Sequence, residues 1–384
     1  MAKFALTSGE VPQTPFYYYD LSLLRSTIET LQREASRFGY HVHYAMKACI
    51  DPRVLEVISD AGLGADCVSG WEVERALESG FSADRVVFAG VGKSDREIRF
   101  ALDKEIFCFN CESLEELQII NSLAEEQGKR ARVALRINPN VEPLTHKYIT
   151  TGNAQSKFGI AYTEVGEALT QLSSMANVEI VGIHFHIGSQ VLGMDYFAQL
   201  AQRGAEICQW FENQGISLQV INVGGGLGID YKNPDENPVS DFKGYFEAFA
   251  AHLPEDKQIH FELGRSIVGQ CGELVTRVLV TKKSVVGSDY AIVDAGFTEL
   301  IRPALYGAKH VIENLTAQGE EREMGVYYIG GPVCESTDIF ARELPFPVSR
   351  RGDILTIRSV GAYGAVMGMN YNMRPTPESY YSEQ

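Results

Sequence analysis

Between residues 40 and 265 the chain repeats one pattern: a short β-rich run, a turn, then an amphipathic helical stretch. The strand candidates are 41–48, 64–69, 85–90, 106–111, 132–139, 180–187, 218–224 and 258–263. Helical stretches such as 71–79, 114–127, 162–175 and 196–213 lie between them. Eight βα units in roughly 220 to 250 residues predict a closed α/β barrel of the TIM, (β/α)8, type. An open doubly wound sheet shares this periodicity and stays open as the alternative. After Arg265 the texture changes. Runs at 275–286, 290–294, 325–329 and 354–360 are β-rich with little helical pattern between them, which predicts a second, all-β unit joined by a strand at 16–19. The expected division is a barrel over 21–264 and a β-rich domain from 1–20 and 265–384.

A chain of 384 residues is long for a single core and suits two domains. Its net charge of −16 argues against nucleic acid or an anionic membrane as partner. The first residues hold no apolar run of signal-peptide length, and no later segment reaches the length of a membrane span. Seven scattered cysteines do not look like a disulfide framework, so a reducing cytoplasm is expected.

In a barrel of this kind chemistry sits at the C-terminal ends of the strands. Those ends carry Lys47, Asp66, Asn138, His186, the run Gly224-Gly225-Gly226, and Glu262 with Arg265. A lysine there is a solvated strand end or an amine whose lowered pKa lets it attack a carbonyl. The glycine run is a tight turn or a backbone cradle for phosphate. Glu262 and Arg265 form a plain salt bridge, or else serve a ring nitrogen and an anion respectively.

Dinucleotide and P-loop readings fail on spacing. No frame puts glycine at all three positions of G-x-G-x-x-G, and the glycine a P-loop needs upstream of Gly92-Lys93-Ser94 is Val87. His41-x-His43 and His184-x-His186, with Asp66 and Glu262 on neighbouring strand ends, keep a metal-dependent hydrolase barrel as a rival of another class. Cys108-x-x-Cys111 lies inside a predicted strand and reads as core.

Tyr44-Ala45-Met46-Lys47-Ala48, Gly64-Ala65-Asp66-Cys67-Val68-Ser69, His184-Phe185-His186-Ile187-Gly188-Ser189-Gln190, the glycine run, Glu262-Leu263-Gly264-Arg265, Arg302-Pro303-Ala304-Leu305-Tyr306, Gly331-Pro332-Val333-Cys334-Glu335-Ser336 and Gly361-Ala362-Tyr363-Gly364 follow one another in a single order. That order resembles the pyridoxal-phosphate-dependent decarboxylases of the alanine-racemase-like fold, and among them those acting on diaminopimelate. The loop His146-Lys147-Tyr148-Ile149-Thr150-Thr151-Gly152 with Ser156-Lys157-Phe158-Gly159, and Asn370-Tyr371-Asn372 with Arg374-Pro375, belong to the same pattern. Leu263 stands where the family usually has proline, and Thr337 where a glycine commonly follows the serine.

The resemblance implies pyridoxal 5'-phosphate bound through Lys47 as Schiff-base residue. His186 would stack on its ring and Glu262 would face its nitrogen. Asp66, Ser189, Gly224, Gly225, Gly226, Gly264, Arg265 and Tyr363 would complete the cofactor site. Arg265, Arg302, Tyr306, Glu335 and Tyr363 would bind substrate. Cys334 would reach the neighbouring subunit's site as proton donor, so that a homodimer shares its active sites, and no metal is needed. The implied reaction takes meso-diaminopimelate to L-lysine and carbon dioxide, the last step of lysine biosynthesis. Rivals within the family act on ornithine, lysine, arginine or carboxynorspermidine, and a non-catalytic cofactor-binding homologue would keep Lys47 without needing Cys334.

Overall fold

In the computed structural model the described residues are 4–6, 11–139, 157–172, 175–285 and 287–382. The first strand, β1 (Phe16–Tyr19), precedes the barrel. The barrel strands are β2 (His41–Ala45), β3 (Gly64–Cys67), β4 (Val86–Phe88), β5 (Cys108–Cys111), β6 (Ala131–Asn138), β8 (Val178–His184), β9 (Val220–Asn222) and β10 (Gln258–Leu263), while the two-residue β7 (Ile160–Ala161) pairs outside β6. All neighbours are parallel, and pairing of β5 with β6 closes the ring, so the open-sheet alternative falls away.

The period-2 alternation of the strands explains the layering. In β10, Phe261 points outward and packs against Tyr245, Phe246 and Phe249 of the helix Phe242–Ala250. His260 and Glu262, on the other face, turn inward to His43 and His184. The outer helices bury matching stripes. Leu21–Ser36 starts where Asp20 Oδ1 accepts from the Leu23 amide, and it buries Leu21, Leu24, Ile28, Leu31 and Ala35 at three- and four-residue spacing. Ser94 and Glu97 form a reciprocal capping box on the helix Asp95–Asp103.

The second sheet runs β13 (Ile312–Asn314), β16 (Ile354–Ile357), β11 (Gly272–Lys282), β12 (Asp289–Val293), β14 (Met324–Gly330), β15 (Ile339–Pro347). The strand β1 joins it beside β11, and β17 (Glu378–Tyr381) pairs with β1. It is not purely β: a short helix, Arg302–Tyr306, leads from β12 toward β13.

Several expected bounds shift. The strand expected over 41–48 ends at Ala45, and Met46–Ala48 is a 3-10 turn, so Lys47 sits just past the strand. The expected helix 162–175 is a 3-10 turn, Tyr162–Glu164, followed by the helix Val165–Leu172. The strands β13, β15 and β17 lie outside every expected run. Among the described residues no helix is long and apolar enough to cross a membrane.

Candidate active site

At the C-terminal mouth of the barrel a cavity of about 410 Å3 is lined by Lys47, Gly90, Arg136, His184, His186 and Glu262, among others. Lys47 Nζ lies 2.5 Å from Asp66 Oδ2 on the neighbouring strand. Burial alone would push the ammonium down, but Asp66, Tyr363 and Glu262 outweigh it and hold the Lys47 pKa above its ordinary value. This corrects the expectation of a lowered pKa: the neighbouring charges win over desolvation. Asp66 is fully buried, and its Oδ1 has no partner among the described residues.

Glu262 is held from three strands. Its Oε1 accepts from Asn110 Nδ2 at 2.8 Å and Asn222 Nδ2 at 2.7 Å, and its Oε2 lies 3.1 Å from His184 Nε2. A carboxylate only accepts, so His184 Nε2 carries the proton. Burial opposes the charge of Glu262, yet His184, Lys47 and His186 keep its carboxyl below the usual range. Oε2 retains a lone pair for one more donor.

The expected alternative of a Glu262–Arg265 salt bridge is not formed. Arg265 instead donates to Ser189 Oγ (3.0 Å from Nη2) and Tyr231 Oη (2.6 Å from Nη1), and its guanidinium stands 4.8 Å from the Tyr363 ring centroid. Arg302 lies 4.8 Å from the Tyr231 ring and 3.3 Å from His310 Nε2. The two arginines are 6% and 5% exposed, and neither has a carboxylate partner among the described residues. An uncompensated buried charge costs about 3–5 kcal/mol. Two such cations side by side mark a place for an anion.

Gly225 must be glycine, because a Cβ there would stand 1.9 Å from Glu262 O. Its amide faces His186 Nδ1 at 3.3 Å, while Asn222 Oδ1 accepts from Gly224 N. The loop Gly224-Gly225-Gly226 thus lies against the Glu262 strand. Gly264 precedes the short helix Arg265–Val268. His186 is half-buried, and enclosure with Arg136 and Lys47 nearby keeps its imidazole well below its ordinary pKa. Tyr363 adopts φ +56°, sparsely populated for an aromatic residue, with its amide bonded to Ala48 O beside Lys47.

The fold therefore brings Lys47, Asp66, His186, Glu262, Gly224, Gly225 and Gly226 together. Arg265, Ser189, Tyr363 and Arg302 form a contiguous group beside them, and Tyr306 ends the helix that Arg302 opens. Cys334 and Glu335 are not part of this group within the chain. They sit exposed on the turn after β14, where Asp338 accepts from the amides of Val333 and Phe297 and pins the turn in place. Glu335 accepts from Tyr371, and Cys334 N lies 3.5 Å from Asn372 Oδ1. Of the loop pattern expected at 146–152 and 156–159, residues 146–152 and 156 lie outside the described residues.

The two H-x-H pairs open to different mouths. His41 and His43 line a cavity with Tyr40, Leu63, Asp84 and Phe107, at the N-terminal ends of the strands. His43 Nε2 is bonded there to His260 Nδ1 at 2.7 Å. His184 and His186 face the other mouth, so the four imidazoles do not converge. Among the described residues no group of three or more His, Cys, Asp or Glu is arranged to hold a metal ion.

Asn110, Asn222, Tyr231 and His310 were not singled out from sequence, nor was His184 as the partner of Glu262. The signal for Asn110 and Asn222 was present: an asparagine at the C-terminal end of an apolar strand, in an inward-facing position.

Residues 24–269 match the family model described as pyridoxal-dependent decarboxylase, pyridoxal binding domain. A diaminopimelate decarboxylase of Bacteroides thetaiotaomicron is 48% identical, over 99% of this chain and 98% of that protein. One from Aquifex aeolicus is 38% identical over 94% and 85%. The crystal structure of the Helicobacter pylori enzyme complexed with L-lysine superposes with a TM-score of 0.91 at 38% identity, covering 97% of this chain and 92% of that one. An arginine decarboxylase of Paramecium bursaria Chlorella virus, at 23% identity and TM-score 0.86, shares the fold. The buried carboxylate, the strand-end lysine and the glycine loop have the chemistry a pyridine-aldehyde phosphate requires, and they agree with these relationships: the chain belongs to the diaminopimelate decarboxylase family of pyridoxal-dependent decarboxylases.

Proposed function

We propose that the enzyme decarboxylates meso-diaminopimelate to L-lysine as a homodimer in the cytoplasm, with Lys47, Glu262, His186 and Cys334 as its catalytic residues. The observation that carries this reading is the pair of buried arginines, Arg265 and Arg302, without carboxylate partners among the described residues, Arg265 lying against Tyr363, whose amide bonds Ala48 next to Lys47. A diamine precursor with one carboxylate leaves one of these cations unmatched, whereas diaminopimelate brings two carboxylates. The relatives' names and the lysine bound to the Helicobacter pylori enzyme support the same substrate and product.

Pyridoxal phosphate, when bound, supplies the electron sink that lets an amino acid lose carbon dioxide from its α-carbon. The residues present fit it. Lys47 would anchor the aldehyde, His186 would cover the ring face, and Glu262 has an uncommitted lone pair for the ring nitrogen. Gly224, Gly225, Gly226, Gly264, Ser189 and Tyr363 would take the phosphate end, leaving Arg265 for a substrate carboxylate. Asp66 holds the Lys47 ammonium in place when the amine is free. Asn110, Asn222 and His184 hydrogen-bond Glu262, and no arginine or lysine among the described residues contacts it directly, so its charge would be available to the ring. Tyr306, Tyr363 and Glu335 complete the substrate pocket.

Cys334 is exposed in the single chain and flanked by exposed Met369, Tyr371 and Met373. That placement supports a thiol delivered to a second subunit, donating its proton to the α-carbon after carbon dioxide leaves. On the expected division, a barrel over 21–264 and a second domain of 1–20 and 265–384, Lys47 and Cys334 belong to different domains. All seven cysteines are free, which supports a reducing compartment.

The test is direct. Protein supplied with pyridoxal phosphate and meso-diaminopimelate should release carbon dioxide and L-lysine in equal amounts. Equal rates on ornithine or arginine would overturn the substrate assignment.

A further inference from the structure

Arg302 is buried and charged, yet what holds it is neutral. His310, three residues beyond the helix Arg302–Tyr306 and its cap Gly307, places Nδ1 2.9 Å from Arg358 O. A carbonyl only accepts, so Nδ1 carries the proton and Nε2 presents a lone pair. Arg302 Nη1 donates to that lone pair at 3.3 Å. The backbone of residue 358 therefore sets the tautomer, and the tautomer sets the guanidinium. Burial with Arg302 and Arg265 alongside pushes the imidazole down to about 3, which keeps it neutral.

Tyr231 completes the arrangement. Its ring lies 4.8 Å from the Arg302 guanidinium and packs edge-on against His310 at 5.2 Å, while its hydroxyl accepts from Arg265. One aromatic thus touches both arginines. Ser189, Tyr231 and His310 orient two cations through oxygen and nitrogen lone pairs and discharge neither. Arg302 Nε is buried with no partner among the described residues, so one donor is still waiting for an acceptor.

We infer that His310, with Tyr231 beneath it, is a positioning residue that fixes Arg302 by a neutral hydrogen bond so that its charge stays available to a substrate carboxylate. The inference rests on the proposed substrate role of Arg302. An acidic residue at 310 would grip the guanidinium more tightly and spoil the site by neutralising it. Tyr231 sets the spacing of the two cations, and so the separation of the anionic groups they can receive together.

The holoenzyme with meso-diaminopimelate tests this through KM and kcat. His310→Leu should raise KM by about tenfold with kcat within about twofold, since a hydrogen bond to a charged group is removed. His310→Gln, which keeps an acceptor, should recover most of the loss. His310→Asp keeps an acceptor but adds charge, and should raise KM at least as far as His310→Leu. In an Arg302→Ala background His310→Leu should add nothing further. A full additive effect there, or a wild-type KM in His310→Asp, overturns the positioning role. Should His310→Leu fail to fold, the Gln and Asp variants still decide the matter by their opposite effects. If Arg302→Ala itself leaves KM unchanged, the substrate role of the arginine fails, and that outcome is distinct from a failure of His310 alone.

Discussion

His184 reaches past β9 to place Nε2 3.1 Å from Glu262 Oε2, the only oxygen of that carboxylate not already taken by two asparagine amides. Three donors, none of them an arginine or lysine in direct contact, hold a fully enclosed carboxylate ionised. An Arg in their place would neutralise it. An apolar pocket would protonate it. The arrangement suits a carboxylate that must confer charge on a bound ring.

Replacing Glu262 with glutamine should therefore separate electronics from binding. The side chain keeps its volume and its acceptor oxygen for Asn110 and Asn222, so the cofactor should remain bound. Turnover should fall about 100-fold or more, as when a preorganised electrostatic partner is removed. The check is kcat together with the cofactor's absorbance in the same sample. An unchanged kcat would remove Glu262 from the chemistry.

The Lys47–Asp66 pair predicts how the apo-protein takes up its cofactor. Only the free amine attacks an aldehyde, and Asp66 raises the Lys47 pKa, so the reactive fraction at neutral pH is small. Loading, followed by absorbance, should accelerate about tenfold per pH unit below that pKa. In Asp66→Asn the Lys47 pKa should drop, because burial is then opposed by less charge, and loading at a given pH should be faster. Borohydride treatment of loaded enzyme should add cofactor mass to the peptide carrying Lys47, and Lys47→Ala should abolish both this and turnover. A pH-independent loading rate would mean that Asp66 does not hold the proton on Lys47.

Barrel strands were legible because inward and outward residues alternate in each, as His260, Phe261 and Glu262 do in β10. The strand β15 was not, because Pro345, Pro347 and the Arg342-Glu343 pair break the pattern. At the edge of the sheet, where it lies, prolines and charges are tolerated since one side needs no ladder bonds. Lys47, Glu262 and Arg265 could be picked out one by one at strand ends. Their partners could not. Asn110 lies 152 residues from Glu262, and only closure of the barrel sets which inward side chains meet. Tyr231 and His310 come from loops, where spacing carries no period to read.

The proposed sharing of the site between subunits predicts complementation. Lys47→Ala and Cys334→Ala homodimers should each be nearly inactive. Mixed under conditions that allow subunit exchange, they should form heterodimers in which one site has both intact residues and the other has neither. A random mixture should regain up to about a quarter of wild-type activity per site, since half the dimers are mixed and one of their two sites is whole. Exchanged dimers that stay inactive would place Cys334 in its own subunit's chemistry or outside it.

On the proposed reading, substrate choice rests on Arg265 and Arg302 acting together. A pocket with two buried cations binds a two-carboxylate substrate well, and pays for an analogue that leaves one cation dry and unpaired. Sites built around such groups reject analogues lacking them by about 10⁴ or more. Diaminopimelate should exceed lysine and ornithine in kcat/KM by about that factor. Arg302→Ala should lower kcat/KM for diaminopimelate about 100-fold or more while changing that for ornithine little, because ornithine has no second carboxylate to lose. Thr337 is exposed beside Asp338 on the Cys334 turn, so Thr337→Gly should leave folding intact and report whether that turn tunes the choice. If wild-type enzyme handled ornithine and diaminopimelate alike, the unmatched arginines would have to serve the cofactor's phosphate, and Arg302→Ala would then weaken cofactor binding instead of selectivity.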